Sequence, residues 1–97
     1  MNAYHVGQQV RVWAQFVNED ERVTDPTVIT LKYRDPAGSV TELTYETDLA
    51  VTRLGTGEYY ADFIATAPGT WRYRWETSGT ITAAAEGSFQ VLRSAFA

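Results

Sequence analysis

A hydrolytic relay of the Ser-His-Asp kind needs a histidine held as a base beside a nucleophile. This chain has one histidine, His5, in the N-terminal stretch MNAYHVGQQV, and no nucleophile elbow accompanies it. His5 reads as an exposed or edge residue. Paired carboxylates can do acid–base work where an apolar setting raises one of their pKa values. The twelve acidic residues here fall mostly in turns or at outward strand positions, none inside an apolar run. Glu19, Asp20, Glu21 and Asp25 crowd one connection, NEDERVTDP (18–26), and an oxygen-rich loop can hold calcium. Their spacing is not that of an EF-hand and Arg22 interrupts it, so the expectation is a solvated tip, with calcium the alternative. GTGEYY (55–60) offers two glycines but no following lysine or helix to cradle a phosphate, and reads as a turn. The chain is expected to be no enzyme and to carry no cofactor or metal.

The remaining chemistry lies in aromatic rings and arginines. GTWRYRWETSG (69–79) alternates three rings with two arginines. Such a strip stacks nucleobases only if its rings face solvent beside a basic groove. The chain carries a formal net charge of −4 and a pI near 4.8, so phosphate is repelled on average. Nucleic acid is not an expected partner. No apolar run approaches a membrane span, and the start lacks the basic and apolar segments of a secretion signal. With no cysteine, neither disulfides nor thiolate metal sites hold the chain together.

The elements that must position these residues are strands. Apolar residues recur with period two, broken by Gly, Pro and Asp clusters at intervals of eight to twelve residues, the pattern of an all-β sandwich or barrel. In QQVRVWAQFVN (8–18), Val10, Val12, Ala14 and Phe16 share the inward face, and Arg11, Trp13, Gln15 and Val17 the other. TVITLKYR (27–34) and SVTELTYE (39–46) flank the type I turn DPAG. Their alternation sets Leu31 opposite Leu43, Ile29 opposite Tyr45, and Lys32 opposite Glu42. EYYADFIA (58–65) is expected to return through APG as a hairpin with TWRYRWET, pairing Phe63 with Trp71, Ala61 with Tyr73 and Tyr59 with Trp75. Asp62 then meets Arg72, and Tyr60 meets Arg74. ITAAAEGSFQV (81–91) follows, with Ala83 opposite Trp75, Ala85 opposite Tyr73 and Gly87 near Trp71. Small residues thus face large ones, as a packed layer requires. Trp71, Tyr73 and Trp75 are therefore expected in the core.

What is left outside is a set of candidate contact residues: Trp13, Arg11, Tyr60, Arg72, Arg74 and Phe96. Exposed Trp and Tyr are enriched at binding hot spots, and the planar fork of Arg makes several hydrogen bonds at once. For Trp13 the competing expectation is cover by another strand or by the N-terminal MNAYH segment.

VGQQVRVWAQF, the RDPAGSVT turn, LGTGEYYADF and above all APGTWRYRWETSGTITAAAEGSFQV resemble small immunoglobulin-like sandwich domains found in virion proteins of tailed bacteriophages. The resemblance is one of strand-and-turn pattern and runs from about Val6 to Val91. Similar patterns occur in bacterial surface and fibronectin-like modules, and the antibody pattern of paired cysteines around a tryptophan is missing. The resemblance implies an immunoglobulin-like β-sandwich of about seven antiparallel strands, a single domain over 1–97 with short arms at 1–6 and 92–97. It implies a non-enzymatic capsid decoration protein that binds capsid subunits, made in the host cytoplasm and carried on the virion. The implied partners are other virion proteins and further copies of itself, without nucleic acid, membrane or small-molecule substrate. A neck or tail component and a carbohydrate- or cell-surface-binding module are the alternatives.

Overall fold

The computed structural model describes residues 3–96; Met1, Asn2 and Ala97, the extremities of the two expected arms, lie outside the described residues. Among those described, the strands are β1 (Ala3–His5), β2 (Gln9–Gln15), β3 (Val28–Arg34), β4 (Val40–Thr44), β5 (Val51–Gly55), β6 (Glu58–Ile64), β7 (Gly69–Ser78) and β8 (Ala83–Leu92). They form a five-stranded sheet, β1-β8-β7-β3-β4, and a three-stranded sheet, β2-β6-β5. The two pack face to face around one core. The chain is thus an all-β sandwich, with eight strands among the described residues instead of about seven. The additional strand is β1, which runs parallel to β8 with Ala3 beside Gln90 and His5 beside Leu92. Its three residues are too few for an alternating pattern to show in sequence. Part of the expected N-terminal arm is therefore a sheet edge.

Period-two alternation delivers the inward faces as expected. Val10, Val12 and Phe16 of the β2 segment, Ile29 and Leu31 of β3, and Trp71 and Trp75 of β7 are buried. Tyr33, Leu43, Tyr45 and Tyr73 are half-buried and pack on that core. The β3–β4 hairpin has the expected register, Leu31 opposite Leu43 and Lys32 opposite Glu42, with the Tyr45 amide donating to the Ile29 carbonyl at 3.0 Å. The Lys32 ammonium nevertheless turns to the other neighbouring strand and meets Glu76 at 2.9 Å. Glu76 also accepts from Arg74, which reaches on to Glu86, so one chain of alternating charge runs across the outer face of three strands.

The expected β6–β7 hairpin does not form. β6 lies between β2 and β5, while β7 lies between β3 and β8 in the opposite sheet. Residues 65–68 are an arch from one sheet to the other, pinned where the Trp71 indole N–H donates to the Ala67 carbonyl at 2.9 Å. A tight turn and a short arch have the same composition, which is why APG suggests the wrong one. Phe63 still meets Trp71, with ring centroids 6.1 Å apart, but face to face across the sandwich. Asp62 and Tyr60 consequently belong to a different surface from Arg72 and Arg74.

The β7–β8 hairpin forms two residues out of the expected register, with Ala85 opposite Trp75, Gly87 opposite Tyr73 and Phe89 opposite Trp71. An even shift leaves every side chain on its expected face. Two local features select it. The Thr77 hydroxyl closes the loop neck, donating to the Ile81 carbonyl at 2.9 Å and accepting from the Ala83 amide at 3.0 Å. Gly87 leaves room for the Tyr73 ring, whose Cζ would lie 2.4 Å from any Cβ at that position.

Aromatic rings join the sheets in two groups. Near the 65–68 arch, Tyr33 stacks on Phe63 at 4.0 Å with 5° between planes, and Trp71 stacks on Phe89 at 6.0 Å. Toward the opposite end of the strands, Phe16 contacts Tyr59 at 5.9 Å and Trp75 edge-on at 6.3 Å. Such pairs add about 0.5–1.5 kcal/mol each beyond the burial of their area.

Candidate functional site

β2 and β6 are antiparallel neighbours, with Arg11 opposite Asp62 and Trp13 opposite Tyr60. All four side chains lie on the outer face of the smaller sheet, because alternation has already committed Val10, Val12, Ala61 and Phe63 to the core. The Arg11 guanidinium makes a two-point contact with the Asp62 carboxylate, Nε to Oδ1 at 2.7 Å and Nη2 to Oδ2 at 2.9 Å. In that position its Cζ sits 4.0 Å from the Tyr60 ring centroid and 5.6 Å from that of Trp13. The Trp13 and Tyr60 rings are 5.2 Å apart and inclined at 50°. Trp13 is 57% exposed. The result is an ordered aromatic–arginine cluster on an open surface, its cation held by a carboxylate and a ring.

Of the six candidate contact residues, three are therefore together: Arg11, Trp13 and Tyr60. Among the described residues, neither a strand nor the segment from Ala3 to His5 buries Trp13. Arg72 and Arg74 are on the outer face of the other sheet and share nothing with that cluster. Arg74 is held by Glu76 at 2.7 Å and Glu86 at 2.8 Å, whereas Arg72 is the direct cross-strand neighbour of Arg34. The expected Asp62–Arg72 and Tyr60–Arg74 contacts are replaced by contacts of both β6 residues with Arg11. Phe96 is 99% exposed in the segment after β8, apart from either group.

Asp62 is the member that sequence reasoning assigned to the wrong partner. The available signal was the match of R-x-W in β2 with Y-x-D in β6. Reading those triplets antiparallel places opposite charges together and rings together.

The acidic connection before β3 is also resolved by geometry. Asp25 is held by β5 and β6, whereas Glu19, Asp20 and Glu21 are exposed. Its carboxylate accepts from Arg53 Nε at 3.2 Å and Nη2 at 2.9 Å, from the Gly57 amide at 2.8 Å and from the Tyr59 hydroxyl at 2.7 Å. Gly57 has φ +70°, and a side chain there would strike the Phe16 carbonyl and Thr24 amide. Only glycine lets this turn come close enough to bond Asp25. The Arg53 hydrogen bonds, and then those from Gly57 and Tyr59, hold the Asp25 carboxyl well below the usual carboxylate range. Burial, and then the Asp25 carboxylate, push the Tyr59 phenol up to about 12. Among the described residues, no group of three or more His, Cys, Asp or Glu side chains converges as a metal site would require. Asp25 ties β5 and β6 to the β2–β3 connection.

The exposures predict a simple optical result. Iodide should quench one indole of the three, Trp13, and leave Trp71 and Trp75, 2% and 1% exposed, shielded in the native protein. Trp13→Phe should abolish the quenchable fraction of native fluorescence.

Fold and surface together define a class: a two-sheet all-β sandwich with an exposed aromatic–arginine cluster on its smaller sheet. In comparisons with known proteins, no family model matches the chain and no curated protein matches it. None of the described residues forms a helix long and apolar enough to cross a membrane.

Proposed function

We propose that this chain is a non-enzymatic structural protein of a tailed-phage particle, an immunoglobulin-like module that decorates the capsid by binding its subunits. The immunoglobulin-like reading is supported by strand order. β2-β6-β5 faces β8-β7-β3-β4, the order in which an immunoglobulin domain sets its B, E and D strands against G, F and C. The indole of Trp71 bonds back to Ala67 at the entry to β7, where immunoglobulin domains use a tyrosine to fasten the same corner.

The observation that carries the functional reading is the outward Trp13, 57% exposed beside Tyr60 and Arg11. A large ring kept in water costs about 2–3 kcal/mol relative to burial, so a partner that covers it recovers that free energy. Arg11 lies 4.0 Å over the Tyr60 ring, which favours a protein contact over a flat sugar platform. Repetition of one modest contact over a capsid lattice gives firm attachment through effective concentration. The module is made in the host cytoplasm and carried on the virion.

The test is co-sedimentation with capsid particles assembled from the major capsid protein of a tailed phage whose genome encodes this chain. Wild type is expected to sediment with them at a copy number on the scale of the capsid lattice. Trp13→Ala should fold normally, with an unchanged melting temperature, and bind about tenfold or more weakly. Copy number on the scale of one ring would move the protein to the neck or tail. Wild type that stays in the supernatant, or Trp13→Ala that binds as wild type, would overturn the reading.

A further inference from the structure

A β-sandwich with separate sheets has four edges, and natural edges are normally blunted by shortness, bulges, proline or charge. In this protein β1 has three residues and β4 has five, while β5 carries a register shift between Arg53 and Gly55. β2 is the exception. It is an edge of its sheet, spans seven residues, QVRVWAQ, contains no proline, and pairs with β6 without a register break. Its edge is bare because β1, which precedes it, crosses to the other sheet. The Gln8 amide donates to the His5 carbonyl at 3.0 Å around Gly7, φ +91°, and β1 joins β8.

The hydrogen-bond phase says which groups are free. The Ala65 amide donates to the Gln8 carbonyl at 3.0 Å and the Phe16 amide to the Gly57 carbonyl at 2.8 Å. Ladder bonds alternate, so Val10, Val12 and Ala14 also bond to β6. The amides and carbonyls of Gln9, Arg11, Trp13 and Gln15 therefore point outward, and none has a hydrogen-bond partner among the described residues.

In a register centred on Val12, Gln9 falls opposite Gln15, Val10 opposite Ala14, and Arg11 opposite the complementary Trp13. We propose that β2 pairs antiparallel with β2 of a second copy about a two-fold axis at Val12, joining the two smaller sheets into one. The phase is right for this register. Arg11 meets Trp13 of the second copy, and Gln9 meets Gln15, each at a position where both residues have free backbone groups to exchange. Chemistry on the outer face also matches. Tyr60 and Asp62 hold one face and the donor edge of the Arg11 guanidinium, and the Trp13 of the second copy adds a further ring across the axis. The interface is isologous and closes at two subunits.

This inference extends the partner assignment but does not depend on the virion reading, because purified protein alone tests it. Sedimentation velocity over a concentration series should show a monomer of 10.9 kDa giving way to a species of twice that mass. Trp13→Glu faces Arg11 of the other copy with opposite charge and Trp13→Lys with like charge, so the Glu variant should self-associate about tenfold or more tightly. Circular dichroism checks that both fold. In wild type, amide exchange should be slow at Gln9, Arg11, Trp13 and Gln15 in concentrated protein and fast on dilution, with Val10, Val12 and Ala14 slow in both. Wild type that remains monomeric at millimolar concentration overturns the proposal. So does a dimer indifferent to the charge at position 13, or one in which the four outward amides still exchange fast. Trp13→Glu also separates this contact from the capsid contact, since it keeps the dimer while removing the ring.

Discussion

Trp75→Ala is expected to lose about 3–5 kcal/mol of stability, read as a lower urea midpoint, a large fraction of what a domain of this size has. Trp75 is 1% exposed and sits between Leu31 and Ala85 on the neighbouring strands, with Phe16 of the facing sheet edge-on to it. No small movement of either sheet closes the space left by an indole. Phenylalanine should separate volume from hydrogen bonding. The Trp75 indole N–H is buried with no partner among the described residues, so Trp75→Phe removes an unsatisfied donor along with some volume. Trp71 is equally buried but its N–H bonds to the Ala67 carbonyl. Trp71→Phe should therefore cost about 1 kcal/mol more than Trp75→Phe. Equal losses in the two Phe variants would remove the role assigned to the arch bond. A near-wild-type midpoint for Trp75→Ala would remove the core assignment itself.

The second large effect is expected at Asp25. Asp25→Ala should cost about 2–3 kcal/mol, chiefly from leaving the Tyr59 hydroxyl and Gly57 amide without their acceptor. The partly exposed Arg53 pair adds little, because solvent screens it. Asp25→Asn keeps a carbonyl oxygen for both donors and should cost about half as much. The pH dependence has a defined sign. The folded-state pKa of Asp25 is depressed, so its contribution is complete above the unfolded carboxylate value near 4 and declines as pH falls below it. Tyr59 works in the other direction. Its folded value is raised to about 12, so stability is lost between about pH 10, where the unfolded phenol ionises, and that value. Urea midpoints measured from pH 2 to 11 should fall at both ends in wild type. The acid limb should be shallower in Asp25→Asn, and the alkaline limb shallower in Tyr59→Phe, with Lys32, raised by Glu76, supplying the remainder. An acid limb unchanged by Asp25→Asn would deny the cluster its role.

Both effects sit where local and long-range information differ. Trp71 and Trp75 were legible as core because their burial follows from alternation with Arg72 and Arg74 along one strand. The hairpin of β3 and β4 was legible because the DPAG turn is short and both ends carry matching faces. The Asp25 cluster was not. It joins residues separated by 28 to 34 positions, and nothing near Asp25 distinguishes it from Glu19, Asp20 and Glu21, which remain in solvent. The aromatic–arginine cluster was half legible: Arg11, Trp13 and Tyr60 were identified as outward residues, but their meeting required β2 to lie beside β6.

Composition and spacing alone thus determined an all-β chain and the inward and outward faces of its longer strands, with Trp13 on an outward face that only the fold showed to be uncovered. These depend only on the two-residue repeat of an extended backbone, which each segment carries within itself. Which strands lie side by side was decided only in the folded molecule. The 65–68 arch crosses between sheets, β6 joins β2, and Asp62 reaches Arg11 instead of Arg72. A turn and an arch differ in where the chain goes next, and that is chosen by the burial of Phe63, Tyr33 and Trp71 together, a cooperative gain that no single segment encodes.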